Sequence, residues 1–500
     1  MNNTTIIAIV FFIYLLVMLT IGLINYKKND TLSDYVLGGR KLGPWVTAMS
    51  AQASDMSGWL LLGLPGTAYL LYQGTTEAIW TAVGLFIGTY LNWLITAKRL
   101  RKYTEFAGNA VTLPVFFENR FRDKSGVLRI VSSIFILLFF LFYTASMFSA
   151  SAKLFSNVFG VNYQLALVIG VFIIVSYTFL GGFTAVCETD MIQGILMFIA
   201  LIVVPIIGLS KLGGISSMRL QLSSLTTEVF SWIPKTNGVT NTALLVSSMA
   251  WGLGYFGQPH ILPRFMAIKN ADEIRPARII ATIWVFITLS TGVIVGIVGK
   301  ALYPNLADGE TIFMTMVQDM FSPVIAGILL TAILAAVMST ADSQLLVASS
   351  AIAGDLYNGS INKNADGKTL VWVSRFAVLL VSILAASLVF VPNPEPGTLL
   401  AKINASVFKL VSFAWAGFGA AFSPIILFSL FWRKTTKEGA IFGILAGGLS
   451  ALLWWLKDGG IWDIYEILPG FIISSIVIII VSSFTKNSQE ILDEFDKVNK

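Results

Sequence analysis

The stretch AMSAQASDMSGWLLLGLPG, residues 48 to 66, is the most informative segment for the fold of this chain. It is part of an apolar segment, yet it carries a carboxylate at Asp55 together with three serines and three glycines. A charged group in the middle of a membrane helix costs about 2.5 to 3.5 kcal/mol on insertion scales, so it needs a partner or a water-filled cavity. Asp55 follows Pro44 by 11 residues, or about 17 Å along a helix. This depth favours an ion pathway over the alternative of a carboxylate at a helix end paired with a loop arginine.

The composition is that of an integral membrane protein. Of 500 residues, 56% are hydrophobic and only 12% are charged, whereas a soluble domain has about 25% charged residues. Apolar runs long enough to cross a hydrocarbon core of about 30 Å recur along the whole chain. We therefore expect an all-α membrane protein that lies in the lipid bilayer and has no sizeable soluble domain.

The apolar runs predict thirteen membrane spans. Their residues are 5–26, 44–72, 75–97, 128–157, 163–182, 189–210, 241–262, 276–302, 323–355, 371–391, 398–432, 439–456 and 466–484. The first span has no Lys or Arg before it and no small-residue cleavage site after it, so we interpret it as a retained helix rather than a signal peptide.

Basic residues predict the orientation of the chain. With the N-terminus outside and the C-terminus inside, most of the 33 Lys and Arg lie in cytoplasmic loops, as membrane proteins prefer. The predicted cytoplasmic residues include Lys27, Lys28, the segment 98–102, Arg433 and Lys500. This topology accounts for the net charge of +6, so no nucleic-acid partner is expected. A multi-pass protein of the cytoplasmic membrane is the simplest reading.

Small and helix-breaking residues surround Asp55. Positions 50, 51, 53, 54, 57 and 58 are small, and Gly58, Gly63, Pro65 and Gly66 weaken the helix beyond the carboxylate. An interrupted membrane helix frees main-chain carbonyls, which can coordinate a hard cation. Close helix packing through small residues is the alternative, and the two interpretations are compatible.

A second polar stretch runs from Leu329 to Ser350. Ala336, Ser339, Thr340 and Ser343 follow helical spacing on one face, with Asp342 beside them. Hydroxyls in membrane helices usually bond back to their own helix, which is the simpler interpretation of any single one. Two such polar stripes on separate spans would supply an oxygen cage.

A third stretch, from Ser247 to Phe265, combines helix breakers with aromatic rings: Gly252, Gly254, Gly257 and Pro259 with Trp251, Tyr255 and Phe256. Interfacial anchoring of the aromatic residues is the alternative. This second broken helix comes five spans after the first, and such a pair indicates an inverted-repeat transporter. We predict repeats at 44–210 and 241–432, an extra helix at 5–26, two peripheral helices at 439–484 and a cytoplasmic tail at 485–500.

In a fourth stretch, Gly181 and Gly182 form a turn, and Asp190 either caps the next helix or serves a site.

These segments carry a resemblance to a known family. SDYVLGGRKLGPW, SAQASDMSGWLLLGLPG, YTFLGGFTAV, WGLGYFGQPHILPRFMA and AILAAVMSTADSQLLVASS resemble the sodium/solute symporters and, within them, the sodium/proline symporters. The resemblance covers nearly the whole chain. It implies thirteen helices around a leucine-transporter-like inverted-repeat core, with Na⁺ as the coupling ion and L-proline as the substrate.

The resemblance also implies sites, residue by residue. Sodium would be bound by the carbonyls of Ala53, Met56 and Ala336 and the hydroxyls of Ser339 and Thr340, supported by Asp55, Ser57 and Gly58. Proline would lie against Trp59, Tyr143, Trp251, Tyr255 and Pro259. A further cation site of some relatives would map onto Asp190, Ser339, Asp342 and Ser343. Asp342 departs from that pattern, because some relatives have a hydroxyl at this position.

We therefore expect sodium-coupled uptake of L-proline by alternating access. A sodium symporter for another small zwitterion or carboxylate, such as a betaine or a monocarboxylate, is the nearest alternative. A channel or a membrane-embedded enzyme is a more distant one, because the chain has a single histidine and a single cysteine with which to build a catalytic or metal centre. Cys187 has no partner for an intramolecular disulfide, and no obligate protein partner is evident.

Overall fold

The computed structural model describes residues 2–26, 36–180, 182–225, 232–236, 239–392, 394–404 and 406–498. Four residues used in the sequence predictions, Lys27, Lys28, Gly181 and Lys500, lie outside the described residues.

The described chain is almost entirely helical. Its α-helices are α1 (Asn3–Tyr26), α2 (Pro44–Asp55), α3 (Leu64–Tyr69), α4 (Gln73–Leu91), α5 (Ala97–Phe106), α6 (Leu113–Arg120), α7 (Val127–Phe159), α8 (Tyr163–Leu180), α9 (Phe183–Lys211), α10 (Ile215–Leu225), α11 (Thr242–Ala250), α12 (Leu262–Ala267), α13 (Ile274–Leu302), α14 (Ile312–Met320), α15 (Pro323–Ser350), α16 (Gly367–Leu388), α17 (Leu399–Ile403), α18 (Val407–Phe431), α19 (Lys437–Trp455), α20 (Ile467–Phe484) and α21 (Gln489–Val498). Shorter helical turns are 3₁₀ (Gly38–Arg40, Trp251–Gly257, Ala271–Glu273, Gly309–Thr311, Gly460–Asp463) or π (Trp59–Gly63, Asn92–Thr96, Ala351–Ile361). Strands β1 (Lys235–Thr236) and β2 (Val239–Thr240) pair antiparallel.

Ten helices among the described residues are long and apolar enough to cross a membrane. Each coincides with one of the thirteen predicted spans. Of the other three predictions, 44–72 and 241–262 fall on helices that the structure interrupts, and 163–182 falls on α8, whose apolar part Tyr163–Phe179 is shorter. The count of thirteen therefore stays a prediction, whereas the all-helical membrane fold is confirmed.

The first broken helix consists of α2, a π turn and α3. Pro44 begins α2, where a missing N–H leaves no helical bond unmade. The helix ends at Asp55 because Met56 takes φ −80° and ψ 76°, and the N–H of Ser57 then donates to the carbonyl of Asp55 at 2.9 Å. In a continuous helix that N–H would donate to Ala53. The interruption confirms the prediction drawn from the small residues.

The second broken helix consists of α11, the turn Trp251–Gly257 and α12. Gly252 lies against Gly84 and Gly88 of α4, so closely that a Cβ on any of the three would meet main-chain atoms of the facing segment. Gly254 lies as closely against the indole of Trp415. Glycine is required here because backbone packs directly on its neighbours.

Two helices form the centre of the molecule. Of the 18 residues that make each helix apolar enough to cross a membrane, 83% are buried in Pro323–Gly359, which includes α15, and 89% are buried in α18. α15 packs on α2, α7 and α9, and α18 packs on α7 and on the turn Trp251–Gly257. Peripheral helices instead expose large apolar side chains such as Phe172 and Ile383, which a lipid bilayer would cover.

Candidate functional site

Asp55 connects the two broken helices. It is fully buried, and its Oδ2 accepts a hydrogen bond of 2.5 Å from the hydroxyl of Tyr255. The indole of Trp59 donates to the main-chain carbonyl of Asp55 at 3.1 Å. Asp55 Oδ1 has no hydrogen-bond partner among the described residues. The partner of this carboxylate is thus a tyrosine of the second broken helix, and pairing with a loop arginine was the wrong alternative.

Four predicted sodium ligands lie together beside Asp55. The hydroxyl of Ser339 donates to the carbonyl of Ala53 at 2.7 Å, and the hydroxyl of Thr340 lies 3.4 Å from the same oxygen. Ser339 is also 3.2 Å from the carbonyl of Ala336. The fifth predicted ligand, Met56, is buried at the end of α2 three residues after Ala53.

The end of α2 explains why these oxygens are available. Because the N–H of Ser57 bonds elsewhere, the Ala53 carbonyl meets the hydroxyls of α15 instead of a helical N–H. Gly58 lets α7 approach, since a Cβ there would lie 2.9 Å from the Cβ of Ala150. A set of neutral carbonyls and hydroxyls with a carboxylate nearby suits a hard cation such as Na⁺.

Aromatic rings surround Trp251 next to this cluster. Its ring centroid lies 5.1 Å from Phe408, 5.2 Å from Tyr465, 6.2 Å from Trp59 and 6.3 Å from Trp415. The face of an aromatic ring attracts a small cation and packs well on an aliphatic ring. Sequence reasoning missed Phe408, Trp415 and Tyr465. Phe408 and Trp415 are seven residues apart on one helix face, and this spacing is the sequence signal by which the two could have been found together.

The remaining predicted substrate residues divide. Tyr255 packs edge-on against Trp415 at 5.0 Å, and the hydroxyl of Tyr143 lies 3.5 Å from the main-chain carbonyl of Asp55. Both belong to the same buried region. Pro259 instead lines a separate cavity of about 20 Å³, together with Pro263 and others.

The residues of the predicted further cation site also divide. α9 begins at Phe183, so Asp190 lies well inside the helix and does not cap it. Its Oδ2 accepts hydrogen bonds from Ser50 at 2.7 Å and from Ser54 at 3.2 Å. Ser343 joins this group through a 3.0 Å bond to Ser54. Asp342 does not, since its carboxylate accepts from Thr178.

An arginine that sequence reasoning missed completes this group. Arg264 of α12 lies with its Nη2 3.3 Å from Asp190 Oδ2 and 2.5 Å from the hydroxyl of Ser343, and its Nε lies 3.1 Å from Ser50. Arg264 and Asp190 are both fully buried. In the sequence the only signal was a lone basic residue after the glycine-rich turn.

A large cavity opens at one end of the molecule. It has a volume of about 960 Å³ and reaches from Gly66 to Phe408, the ring that stacks on Trp251. Glu310 lines this cavity, and its carboxylate accepts hydrogen bonds from the N–H groups of Val407 and Phe408 at 3.2 and 3.1 Å. Lys153 pairs with Glu310 at 2.6 Å.

Basic loops meet at the opposite end. The ion pairs there are Lys98 with Asp272 at 2.7 Å, Arg122 with Glu494 at 2.5 Å and Arg433 with Asp496 at 2.8 Å. At the same end Arg40 donates to the carbonyl of Met266 at 2.6 Å, and burial lowers the pKa of Arg40 to about 10. These contacts bring loops that are distant in sequence together at this end of the molecule.

Comparison with known proteins gives consistent matches. The sequence model of the sodium:solute symporter family matches residues 35–447. The sodium/proline symporter of Escherichia coli (strain K12) is 46% identical over 494 residues, covering 97% of this chain and 94% of that protein. The high-affinity proline transporter PutP of Bacillus subtilis (strain 168) is 44% identical over 485 residues, covering 96% of this chain and 98% of that protein.

Solved structures share the fold. A Na⁺-coupled sialic acid symporter in a substrate-bound, outward-open state superposes with a TM-score of 0.77 at 19% identity, covering 97% of this chain and 99% of that one. A nucleobase-cation-symport-1 family transporter superposes with a TM-score of 0.56 at 12% identity, covering 94% and 99%. Both likenesses concern the arrangement of helices.

Proposed function

The chain belongs to the sodium:solute symporter family, and we infer that it is a sodium-coupled symporter of L-proline rather than an enzyme. Named relatives at 42 to 46% identity over nearly the full chain are sodium/proline symporters. The observation that carries the inference is the contact of Ser339 with the freed Ala53 carbonyl, beside a carboxylate that joins both broken helices.

Sodium binds where α2 ends against α15. The proposed ligands are the carbonyls of Ala53, Met56 and Ala336 and the hydroxyls of Ser339 and Thr340. Asp55 stabilises the ion electrostatically and is itself neutralised by it, because a buried carboxylate with only a tyrosine partner is otherwise costly. Ser57 and Gly58 determine the main-chain conformation just after α2 ends.

Proline binds against the rings around Trp251. Trp59, Tyr143 and Tyr255 complete the proposed pocket with their polar atoms turned to the main chain and the carboxylate of Asp55. The aliphatic ring of proline packs on indole faces, and its secondary ammonium is attracted by the same faces. Pro259 acts indirectly, because it directs the main chain that follows the glycine-rich turn.

Coupling follows from the elements that the two ligands share. Na⁺ fixes the end of α2 against α15, and α2 carries both Asp55 and the turn that leads to Trp59. A ligand that orders this end of α2 favours the conformation that binds the other ligand, and the effect is reciprocal. These elements then move between a conformation that is open to the outside and one that is open to the inside, and both ligands cross the membrane.

The orientation proposed for this process has both the N-terminus and the large cavity outside. The loops joined by Lys98, Arg122 and Arg433 are basic and belong on the cytoplasmic side. The cavity bounded by Gly66 and Phe408 lies at the other end, where proline enters. The two broken helices would each begin one five-helix repeat, at 44–210 and 241–432.

Uptake of radiolabelled proline into proteoliposomes tests this function. An inward Na⁺ gradient should drive accumulation, and an equal K⁺ gradient should not. Asp55→Asn keeps the shape of the side chain but loses its charge, so we expect the half-saturating Na⁺ concentration to rise about tenfold or more. Asp272→Asn is the control, because Asp272 is 78% exposed and pairs only with surface charge.

Two results would contradict the proposal. Equal accumulation in Na⁺ and K⁺ gradients would remove sodium as the driving ion. Sodium-driven uptake of a betaine or a monocarboxylate in preference to proline would leave the ion in place and change the substrate.

A further inference from the structure

We propose that Tyr465 is a positioning residue of the proline pocket, which fixes the indole of Trp251 and thereby limits the size of the ring that the carrier accepts. The inference rests on the proposed function and deepens it, since it concerns the substrate range of the same site. Tyr465 lies just before α20, one of the two peripheral helices at 439–484 that are outside both proposed repeats. The two repeats alone would then not complete the pocket.

The ring of Tyr465 stacks on the indole of Trp251. The two ring centroids lie 5.2 Å apart with an angle of 28° between the ring planes, and Phe408 stacks on the same indole at 5.1 Å and 26°. Tyr465 is buried. Aromatic pairs in such arrangements stabilise each other beyond the effect of their buried area. The position of the Trp251 ring therefore depends on Tyr465 as well as on α18.

Two hydrogen bonds hold Tyr465 between the two helices that meet at Trp251. The N–H of Tyr465 donates to the hydroxyl of Ser247 at 3.0 Å, and its side-chain hydroxyl donates to the main-chain carbonyl of Ser412 at 2.8 Å. Ser247 of α11 comes four residues before Trp251, and Ser412 of α18 comes four residues after Phe408. Each hydrogen bond is therefore about one helical turn from a ring of the proposed pocket.

The start of α20 also packs closely on the turn that carries Trp251. A Cβ on Gly419 of α18 would lie 2.4 Å from the Cδ1 of Ile467 and 3.0 Å from a main-chain atom of the turn Trp251–Gly257. The indole of Trp415 donates to the main-chain carbonyl of Trp251 at 2.8 Å. α18 and α20 thus enclose the turn, and the Trp251 ring has little room to move while Tyr465 is in place.

A fixed indole limits the width of the proposed pocket. Proline has a five-membered ring, L-pipecolate is the corresponding amino acid with a six-membered ring, and L-azetidine-2-carboxylate has a four-membered ring. One methylene in a closely packed apolar pocket changes discrimination by about tenfold to two-hundredfold. Removal of the Tyr465 ring leaves space next to Trp251, so the indole can shift and the six-membered ring can enter.

Competition of the two analogues with radiolabelled proline tests the inference, on purified protein in detergent at saturating Na⁺. Tyr465→Leu should raise the affinity for L-pipecolate relative to proline about tenfold, and the relative affinity for L-azetidine-2-carboxylate should stay within about twofold, because the smaller ring already fits. Tyr465→Phe and Ser247→Ala each remove one hydrogen bond and keep every ring, so each should raise the L-pipecolate ratio about two- to fourfold.

Ser248→Ala is the matched control on the same helix. The Ser248 hydroxyl bonds back to the carbonyl of Leu244 within α11 at 2.8 Å, so this variant should keep the wild-type ratios. Binding of radioactive Na⁺ without proline should be unchanged in every variant, because the proposed sodium ligands lie on α15 and at the end of α2.

Two outcomes would overturn the inference. Wild-type ratios in Tyr465→Phe, Ser247→Ala and Tyr465→Leu would mean that Tyr465 has no influence on ring size, and if Tyr465→Leu does not fold, the first two variants decide. Equal loss of affinity for all three ring sizes, together with a lower thermal midpoint, would make Tyr465 a structural residue only. Failure of wild type to bind proline in a sodium-dependent way would instead refute the proposed function.

Discussion

At the scale of single residues, the proposed sodium site uses neutral oxygens, and only two of them belong to side chains. Ser339 lies closest to the Ala53 carbonyl, at 2.7 Å. In the proposed site these two hydroxyls contribute to ion affinity, whereas proline lies against the rings around Trp251. Changes at these hydroxyls should act on Na⁺ and reach proline only through coupling.

Ser339→Ala tests this separation. Loss of one hydrogen-bonding group on a charged partner costs about 1.5 to 3 kcal/mol, so the half-saturating Na⁺ concentration should rise roughly tenfold to a hundredfold. Proline affinity at saturating Na⁺ should stay within about threefold, because the ion then compensates for its weaker site. Ser349→Ala is the control, since the Ser349 hydroxyl bonds back to Leu346 within α15. A variant that loses proline affinity at saturating Na⁺, with an unchanged Na⁺ requirement, would contradict the assignment.

At the scale of elements, the second broken helix depends on contact between main chains. Gly252 faces Gly84 and Gly88, so α4 and the turn Trp251–Gly257 touch without side chains between them. The same turn positions Trp251 and Tyr255. A change in its packing should therefore disturb stability and substrate binding together.

Gly252→Ala should destabilise the protein. Its Cβ would meet the carbonyl of Gly84, and forcing an extra carbon into a packed core costs about 1 to 3 kcal/mol. We expect a lower thermal midpoint in detergent and weaker proline binding. Gly43→Ala adds the same atom where nothing lies within 4 Å, at φ −79°, and should match wild type. Equal stability of the two variants would show that the turn tolerates separation from α4.

The interruptions were predictable from the sequence because glycine and proline act on their own segment. The stripe Ala336, Ser339, Thr340 was predictable for the same reason, since helical spacing fixes which residues share a face. The contact of Arg264 with Asp190 was not predictable from spacing, because 74 residues separate the two and only packing brings α9 and α12 together. The rings of Phe408 and Tyr465 over Trp251 likewise depend on how distant helices meet.

At the scale of the whole molecule, the two ends differ in what they offer to solvent. One end has the large cavity, with Glu310 and Lys153 beside it, and the other has the basic loops joined to α21. The proposed orientation assigns the cavity to the outside. Accessibility to a reagent that does not cross the membrane tests this assignment directly.

Cys187 makes such labelling simple, because this thiol is the only one in the chain and is fully buried. In a Cys187→Ser background, Asp458→Cys at the rim of the cavity should react with a membrane-impermeant maleimide on intact cells. Asp272→Cys at the basic end should react only after the cells are permeabilised. The reverse pattern would invert the proposed topology and leave the helix arrangement unaffected.

The main-chain origin of the Ala53 and Ala336 oxygens has a consequence for how this carrier evolves. A carbonyl belongs to every amino acid, so no single codon change deletes these two donors. Mutation reaches the proposed ion site mainly through Ser339 and Thr340, whereas every ring of the proposed proline pocket around Trp251 is a side chain that one substitution replaces. In the proposed arrangement, the preferred solute is therefore easier to change by mutation than the coupling ion.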